Sequence, residues 1–209
     1  MASCLALLIT SLSFGIRAGI LNQLGTDFQL NATQLGAITA TAFWGFPLTV
    51  VIGGMVVDIT GMKRLLVAAF LFHLLEIVLT IFTQEYWTLF ISTMLTGIAN
   101  GTVEAAYNPL VTAIYPENKT TKLNHFHLWF PGGIFLGTLI GILFNYLGFG
   151  WKVLVGIMIW PALIYGYLFS KLQLPPIERV SSGVSTASMY RAVTSPYLFS
   201  CSSVCSAWP

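Results

Sequence analysis

Apolar stretches of about twenty residues follow one another along this chain with only short breaks between them. In lipid every backbone polar group must be bonded within the protein, so a helix of ~20 apolar residues is the simplest way to cross a bilayer. The stretches cover residues 4–24, 34–57, 64–83, 88–114, 123–147 and 151–171. The sequence therefore predicts an all-α, polytopic membrane protein in which residues 1–171 form a bundle of six transmembrane helices.

Composition excludes the common soluble classes of protein. Hydrophobic residues make up 56% of the chain and charged residues 8%, whereas about a quarter of the residues in a soluble domain are charged. The remaining segment, residues 172–209, is rich in serine and lacks a periodic apolar pattern, so it predicts a linker or tail and not a second domain. The net charge of +2 gives no support to nucleic-acid binding.

The basic residues between the spans predict the orientation of the chain. Cytoplasmic loops of membrane proteins carry an excess of Lys and Arg. If the first helix starts inside, Lys152 lies outside and seven basic residues are cytoplasmic. These are Lys63, Arg64, Lys119, Lys122, Lys171, Arg179 and Arg191. We therefore predict a multi-pass protein of the cell (inner) membrane with both termini in the cytoplasm.

The loop between the second and third spans is short and lies in GGMVVDITGMKRLL, residues 53–66. So short a turn needs a residue that tolerates positive φ, which Gly61 supplies. Attraction to the anionic inner leaflet explains Lys63 and Arg64. It does not explain Asp58, because an acid at the cytoplasmic end of a helix opposes the helix dipole.

The spacing of Gly54, Asp58, Gly61 and Lys63 resembles a loop signature of the major facilitator superfamily of transporters. The resemblance implies that Asp58 packs against the other half of a twelve-helix carrier and helps to hold one of its two alternating states. These residues would then form a conformational gate. Two basic positions of the family pattern are apolar in this chain, namely Ile59 and Met62.

A polar stripe runs along the fourth span. Asn100, Glu104 and Asn108 are spaced four residues apart and share one helical face. A charge at the bilayer centre costs ~3 kcal/mol even on insertion scales, so Glu104 should face protein or a watery cavity. Pro109 interrupts the helix, which is tolerated at membrane depth only against protein or a cavity. We interpret the stripe as a cavity wall; the alternative is a neutral glutamate that holds helices together.

Two rows of small residues predict places where helices approach closely. One lies on the fourth span and the other on the fifth. Their members are Gly97, Gly101 and Ala105, and Gly133, Gly137 and Gly141.

The run GIANGTVEAAYNPLVTAIYPENKTTKLN, residues 97–124, resembles the fucose/glucose/galactose:proton symporter branch of the superfamily. Glu, Asn-Pro, Pro-Glu and Leu-Asn stand at nearly the same offsets, and the looser match of the other spans implies an N-terminal six-helix half. In that branch the helix-four glutamate, which falls on Glu104, takes part in sugar recognition and proton coupling. The resemblance implies a secondary active transporter that takes up a neutral sugar, such as fucose or another hexose, with a proton, by alternating access.

The first helix differs from that branch, which carries an aspartate near the position of Ala18, whereas this chain has Arg17 beside it. An intramembrane cation needs a partner, and Glu104 is the best candidate if the first and fourth helices are neighbours, as the resemblance implies. A permanent pair would keep the carboxylate ionised and weaken its role as a proton carrier. A sugar facilitator without proton coupling is therefore an alternative, as is a non-transporting membrane fragment or scaffold.

Asn124 and His127, at the start of the fifth span, offer hydrogen bonds beside aromatic residues, a combination typical of sugar sites. With Arg17 and the polar stripe they complete the predicted proton and substrate site. His73 and Glu76 lie one turn apart in the third span and have no role in this scheme. A metal site would need a second pair of ligands on a facing helix, so the sequence predicts no metal, no cofactor and no enzyme.

Carriers of this superfamily hold their substrate between two six-helix halves, and this sequence supplies one half. The predicted partners are a small-molecule sugar, a proton, the lipid bilayer, and the missing C-terminal half or a second copy of the chain. Residues 172–209 resemble the loop that leads into the seventh helix, and they close with SCSSVCSAWP, which suggests truncation or a frame shift.

Overall fold

The computed structural model describes residues 2–171, which are helical over most of their length. Its helices are α1 (Ala2–Asp27), α2 (Ala32–Thr60), α3 (Met62–Ile81), α4 (Tyr86–Ile114), α5 (Lys119–His127), α6 (Trp129–Tyr146), α7 (Trp151–Ile157) and α8 (Ile159–Lys171). The predicted all-α class is confirmed for this part of the chain. The predictions for residues 172–209 concern a segment outside the described residues.

Two prolines explain why the last two spanning units are each split in two. Pro131 and Pro161 have no N–H for the carbonyls four residues earlier, and their rings crowd those carbonyls. α5 gives way to α6 at Leu128 and α7 to α8 at Met158, each shortly before its proline. Leu128 keeps helical dihedrals of φ −61° and ψ −26°, and Met158 keeps φ −63° and ψ −16°. Residues 2–171 thus form six rod-like units.

Five of these units are long and apolar enough to cross a membrane. They are Ala6–Asp27, Ala32–Thr60, Met62–Ile81, Lys119–Tyr146 and Trp151–Lys171. α4 is more polar, but its 29 residues are long enough to extend ~43 Å and it contacts α1, α2 and α3. The predicted bundle of membrane helices therefore describes the fold, with α4 as its central helix.

Short turns join consecutive helices and give the bundle two ends. One, the basic end, carries the α2–α3 and α4–α5 turns and includes Lys63 and Arg64. The other, the aromatic end, carries Tyr86 and Trp151 at the starts of their helices. The α2–α3 turn depends on Gly61, whose φ of 82° confirms the prediction for this position.

Glycines bring two pairs of helices into backbone contact, which confirms the predicted rows of small residues. A Cβ atom added to Gly137 of α6 would lie 2.6 Å from the carbonyl oxygen of Leu12 in α1. A Cβ atom added to Gly97 of α4 would lie 2.2 Å from the carbonyl oxygen of Ala42 in α2. Close packing of this kind drives helix association in lipid, where hydrophobic burial between helices gives little advantage.

Replacing Gly137 by alanine should therefore loosen the pairing of α1 with α6. The added methyl group would overlap the Leu12 carbonyl, and overpacking typically costs ~1–3 kcal/mol. Gly132→Ala on the same helix is the matched control, since a Cβ at Gly132 meets nothing within 4 Å. We expect thermal unfolding in detergent to shift to lower temperature in Gly137→Ala alone. Equal melting of the two variants would contradict this packing.

A polar layer divides the apolar core of the bundle in two. The cluster toward the basic end includes Leu66 and Val103, and the cluster toward the aromatic end includes Ile77 and Leu89. Polar side chains of α1, α3 and α4 lie between the clusters: Ser13, Arg17, His73, Glu76, Thr93, Thr96 and Asn100. Buried polar groups are costly unless they are paired, so the contacts within this layer decide what the bundle can do.

Candidate functional site

Arg17 of α1 lies in the polar layer and contacts side chains of two other helices. Its Nη2 forms a salt bridge with Glu76 of α3 and donates to Thr80 Oγ1 at 2.8 Å. Its Nη1 donates to Thr93 Oγ1 of α4 at 3.1 Å. The Arg17 side chain is 12% exposed, and a largely buried charge is costly without a partner. The ion pair thus joins α1, α3 and α4 in the middle of the bundle.

Glu76 turns its two carboxylate oxygens to different partners. Oε2 accepts from Arg17 and from the Thr96 hydroxyl, the latter at 3.0 Å. Oε1 lies 4.0 Å from Nδ1 of His73, one helical turn earlier on α3. Glu76 and His73 are 3% and 4% exposed. The His73–Glu76 pair, for which the sequence predicts no role, therefore belongs to the Arg17 network.

Three buried polar atoms in or beside the polar layer have no hydrogen-bond partner among the described residues. They are Nε2 of His73, Oδ1 of Asn100 and the hydroxyl of Tyr165. The ring of His73 stands edge-on to that of Tyr165, with 6.0 Å between centroids. An unpaired buried polar atom costs ~1–3 kcal/mol. Each of these side chains can still form a further hydrogen bond.

Glu104 pairs with His127 of α5, so the predicted Arg17–Glu104 pair is wrong. Oε1 of Glu104 and Nδ1 of His127 are 3.2 Å apart. α1 and α4 are neighbours, as the resemblance implies, but the two charges lie at different depths. Arg17 bonds to Thr93, and Glu104 lies roughly three turns, or ~16 Å, further along α4.

Of the other predicted site residues, Asn100 lies in the polar layer, and Asn108 and Asn124 lie between the layer and the basic end. Nδ2 of Asn100 donates to Ser13 Oγ of α1 at 3.2 Å. Oδ1 of Asn108 is buried without a hydrogen-bond partner among the described residues. Asn124 is exposed on α5, one turn before His127. Within residues 2–171 no three His, Cys, Asp or Glu side chains come together as a metal site would require.

A cavity of about 370 Å³ opens beside Arg17, between α1, α2, α4 and α6. The residues with polar side chains in its lining are Arg17, Thr39 and Thr93. Four aromatic rings form much of the remaining wall, with 5.9 to 6.3 Å between the centroids of contacting pairs. They belong to Phe14, Phe43, Phe46 and Phe130.

This cavity is not the one that the polar stripe predicts. Asn100, Glu104 and Asn108 are absent from its lining, which contains Arg17. The physical reason is that α1 packs against α4 at the depth of Asn100, which bonds to Ser13 and is 1% exposed. At Asn100 the stripe is therefore a contact between helices, and Glu104 lies further toward the basic end.

The four residues of the predicted gate lie together around the α2–α3 turn. Asp58 is half-buried near the end of α2, and Lys63 is exposed near the start of α3. Gly54 faces open space, since a Cβ there would meet nothing within 4 Å. With Gly61 in the turn itself, the motif is assembled at a single place at the basic end.

These features define a multi-pass helical membrane protein in which a buried charged layer borders a solute-sized cavity. The sequence matches the Major Facilitator Superfamily over residues 3–208, and the chain belongs to that superfamily. Its helices correspond to the N-terminal half of the superfamily fold, as predicted.

Curated relatives align with most of this chain. Myo-inositol transporter 1 of Saccharomyces cerevisiae is 25% identical over 166 residues, which cover 75% of this chain and 28% of the relative. Solute carrier family 2, facilitated glucose transporter member 10, of Xenopus laevis is 29% identical over 166 residues, with 77% and 29% covered. The D-xylose transporter of Levilactobacillus brevis is 25% identical over 151 residues, with 72% and 33% covered. The chain thus spans a third or less of the length of these relatives.

A solved structure shares the fold. The proton:xylose symporter XylE, bound to 6-bromo-6-deoxy-D-glucose, superposes with a TM-score of 0.72 at 18% sequence identity. The superposition covers 87% of this chain and 46% of that one, so the shared fold is about half of a carrier.

Proposed function

We propose that this chain forms one half of a secondary carrier that takes up a neutral sugar, such as fucose or another hexose, by alternating access. The observation that carries the proposal is the cavity beside Arg17, whose charge is already balanced by Glu76. A solute in this cavity therefore meets an ion pair that carries no net charge. Neutral solutes are favoured over sugar phosphates and sugar acids.

The composition of the cavity suits a sugar. Its volume of about 370 Å³ falls within the ~300–1,000 Å³ of small-molecule sites. Phenylalanine rings offer apolar faces to the C–H side of a pyranose. Thr39, Thr93 and the N–H groups of Arg17 that remain available can bond to its hydroxyls.

The names of the relatives support the same class of substrate. They refer to myo-inositol, glucose and xylose, which are neutral polyhydroxylated molecules of similar size. Uptake of a compound of this class by the present chain is the simplest extension, and fucose is the member favoured by the run at residues 97–124.

The proposal requires a second half. Large apolar side chains are exposed along α2 and α6, including Phe43, Leu48, Phe135 and Leu139. The C-terminal half of the carrier, or a second copy of this chain, would cover part of these faces, and lipid would cover the rest. Asp58 would then act as a gate at the basic end, which we place in the cytoplasm together with both termini, in the cell (inner) membrane.

We further propose that sugar uptake is coupled to a proton. The described bundle holds two buried or half-buried carboxylates that each lie beside a histidine, Glu104 with His127 and Glu76 with His73. Either pair offers a place where a proton can be gained and lost. The alternative is a facilitator without coupling, which is favoured by the salt bridge that keeps Glu76 ionised against Arg17.

Uptake measurements test the proposal. Cells that express the complete open reading frame are given labelled fucose, glucose, xylose, myo-inositol and a hexose phosphate. We expect saturable uptake of at least one neutral sugar above that of cells with an empty vector, and none of the hexose phosphate. Absence of uptake for every neutral sugar, or preference for the phosphate, would refute it.

Glu104→Gln probes the predicted substrate and proton site at the basic end. The change keeps the shape of the side chain but removes the charge beside His127, whose side chain is 44% exposed. Solvent screens so exposed a pair to ~1 kcal/mol or less, so we expect sugar uptake to fall by about fivefold or less. Glu117→Gln, an exposed site between α4 and α5, is the matched control. If uptake and its pH dependence are unchanged in Glu104→Gln, the residue has no part in the mechanism.

A further inference from the structure

The carboxylate of Glu76 lies between two groups that can balance its charge. Oε2 forms the salt bridge with Arg17, which also lines the cavity. Oε1 faces Nδ1 of His73 at 4.0 Å, a distance too long for a strong hydrogen bond. Only the first position is filled by a permanent cation, because a histidine is charged only after it binds a proton.

His73 has the properties of an unused proton acceptor. Its side chain is buried against Tyr165, and its Nε2 has no hydrogen-bond partner among the described residues. If His73 only filled space, a hydrogen-bond partner or an apolar ring in its place would avoid the cost of an unpaired buried nitrogen. Placed one turn from a buried carboxylate, it can become the second cation of the network without any new side chain.

We propose that His73 binds the coupling proton and then replaces Arg17 as the cation that balances the charge of Glu76. This inference rests on the proposed function of sugar uptake. A hydronium ion from the solvent gives its proton to the imidazole and leaves as water, and the Nδ1–H then donates to Oε1 of Glu76. The network gains one positive charge, which Arg17 carries at the wall of the cavity, where water and sugar hydroxyls can solvate it.

The consequence is a linkage between the two ligands. With Glu76 balanced by His73, the guanidinium of Arg17 is released and can donate more bonds to a sugar. By reciprocity, a sugar that draws Arg17 toward the cavity increases the affinity of His73 for the proton by the same factor. A neutral solute and a proton therefore bind together, although the sugar never contacts His73.

Few other groups can interfere with this exchange. The titratable side chains next to His73 in the described bundle are Glu76 on α3 and Tyr165 from α8. Arg17 from α1 pairs with Glu76, and Tyr107 from α4 lies near Tyr165. α4 contributes the hydroxyls of Thr93 and Thr96 to the same network. Asp58 of α2 and Lys152 of α7 lie near opposite ends of the bundle, far along their helices from this layer.

The pair of Glu104 and His127 is the rival site, and its position makes it less suited to coupling. His127 is 44% exposed, and neither residue contacts Arg17 or lines the cavity. A proton bound there would leave the balance between Arg17 and Glu76 unchanged. The two sites can therefore be told apart by separate substitutions.

The test uses the complete open reading frame in proteoliposomes, with whichever neutral sugar the uptake panel identifies. Two quantities are measured, namely exchange of labelled for unlabelled sugar at equal pH, and accumulation driven by an imposed pH gradient. Exchange requires sugar binding and alternating access, whereas accumulation also requires the proton. We expect wild-type protein to do both, and His73→Gln and His73→Phe to keep exchange but lose accumulation.

Controls separate His73 from other histidines. His125→Gln, an exposed site on α5, should keep both activities. The inference is overturned if either His73 variant accumulates sugar as the wild type does, or if accumulation is lost in His127→Gln and kept in His73→Gln. Wild-type exchange without any accumulation also overturns it, while leaving sugar transport intact. Absence of wild-type exchange would mean that the proposed function itself has failed, and the inference with it.

A binding measurement covers the case in which the His73 variants do not fold. Purified wild-type protein in weakly buffered detergent, with a pH-sensitive dye, should take up protons when it binds sugar, at most one for each sugar, at some point in a series of starting pH values. His127→Gln should take up protons in the same way. Sugar binding without proton uptake at every pH, or loss of the uptake in His127→Gln, would overturn the inference.

Discussion

Replacing Arg17 by leucine is expected to leave little folded protein, whereas replacing both Arg17 and Glu76 by leucine should restore much of it. Removing one member of a buried ion pair strands the other charge and typically costs ~3–5 kcal/mol, while replacing both by apolar residues is often neutral. Arg17 and Glu76 fit this case, since their side chains are 12% and 4% exposed.

The measurement is the fraction of protein that elutes as a single species on size exclusion in detergent, for both single variants and the double variant. Lys63→Leu is the control, because it removes an exposed charge at the basic end. If the losses of the two single variants simply add in the double variant, the charges are not coupled and the network described here is wrong.

Filling the cavity should abolish sugar uptake without unfolding the bundle. Ala18 is an exposed residue of the cavity lining, so the indole ring in Ala18→Trp would enter the 370 Å³ space and obstruct a solute. The helix itself should tolerate the change, because the side chain enters open space and not a packed core.

Val67→Trp supplies the comparison, since Val67 is 40% exposed on α3 and does not line the cavity. We expect uptake to fall to background in Ala18→Trp and to remain close to the wild-type level in Val67→Trp, with equal amounts of both proteins in the membrane. Normal uptake by Ala18→Trp would show that the solute takes another route.

The features that could be predicted from the sequence are those that a single segment encodes. The length of an apolar run defines a membrane helix, and Gly61 marks a turn because few other residues adopt a φ of 82°. Rows of glycine at helical spacing, such as Gly97 with Gly101, state that another helix comes close. Each of these signals depends on residues within a few turns of one another.

The site could be predicted only in part, because it depends on the relative depth of different helices. Arg17 needs a partner on physical grounds, but nothing in its own helix distinguishes Glu76 from Glu104. A signal was available in α3, where His73 and Glu76 form a buried pair of ionisable residues with no local explanation. The aromatic cavity was missed because Phe14, Phe46 and Phe130 come from three helices, and each alone resembles an ordinary packing residue.

The split between α5 and α6 has a mechanical consequence. Because Pro131 cannot donate to the carbonyl of His127, this joint has one backbone hydrogen bond fewer than a continuous helix and bends at a lower cost. After the joint, Gly137 of α6 packs against α1. Before it, His127 of α5 lies next to Glu104. α5, at the basic end, can therefore change its angle to α6 more easily than α6 can separate from α1.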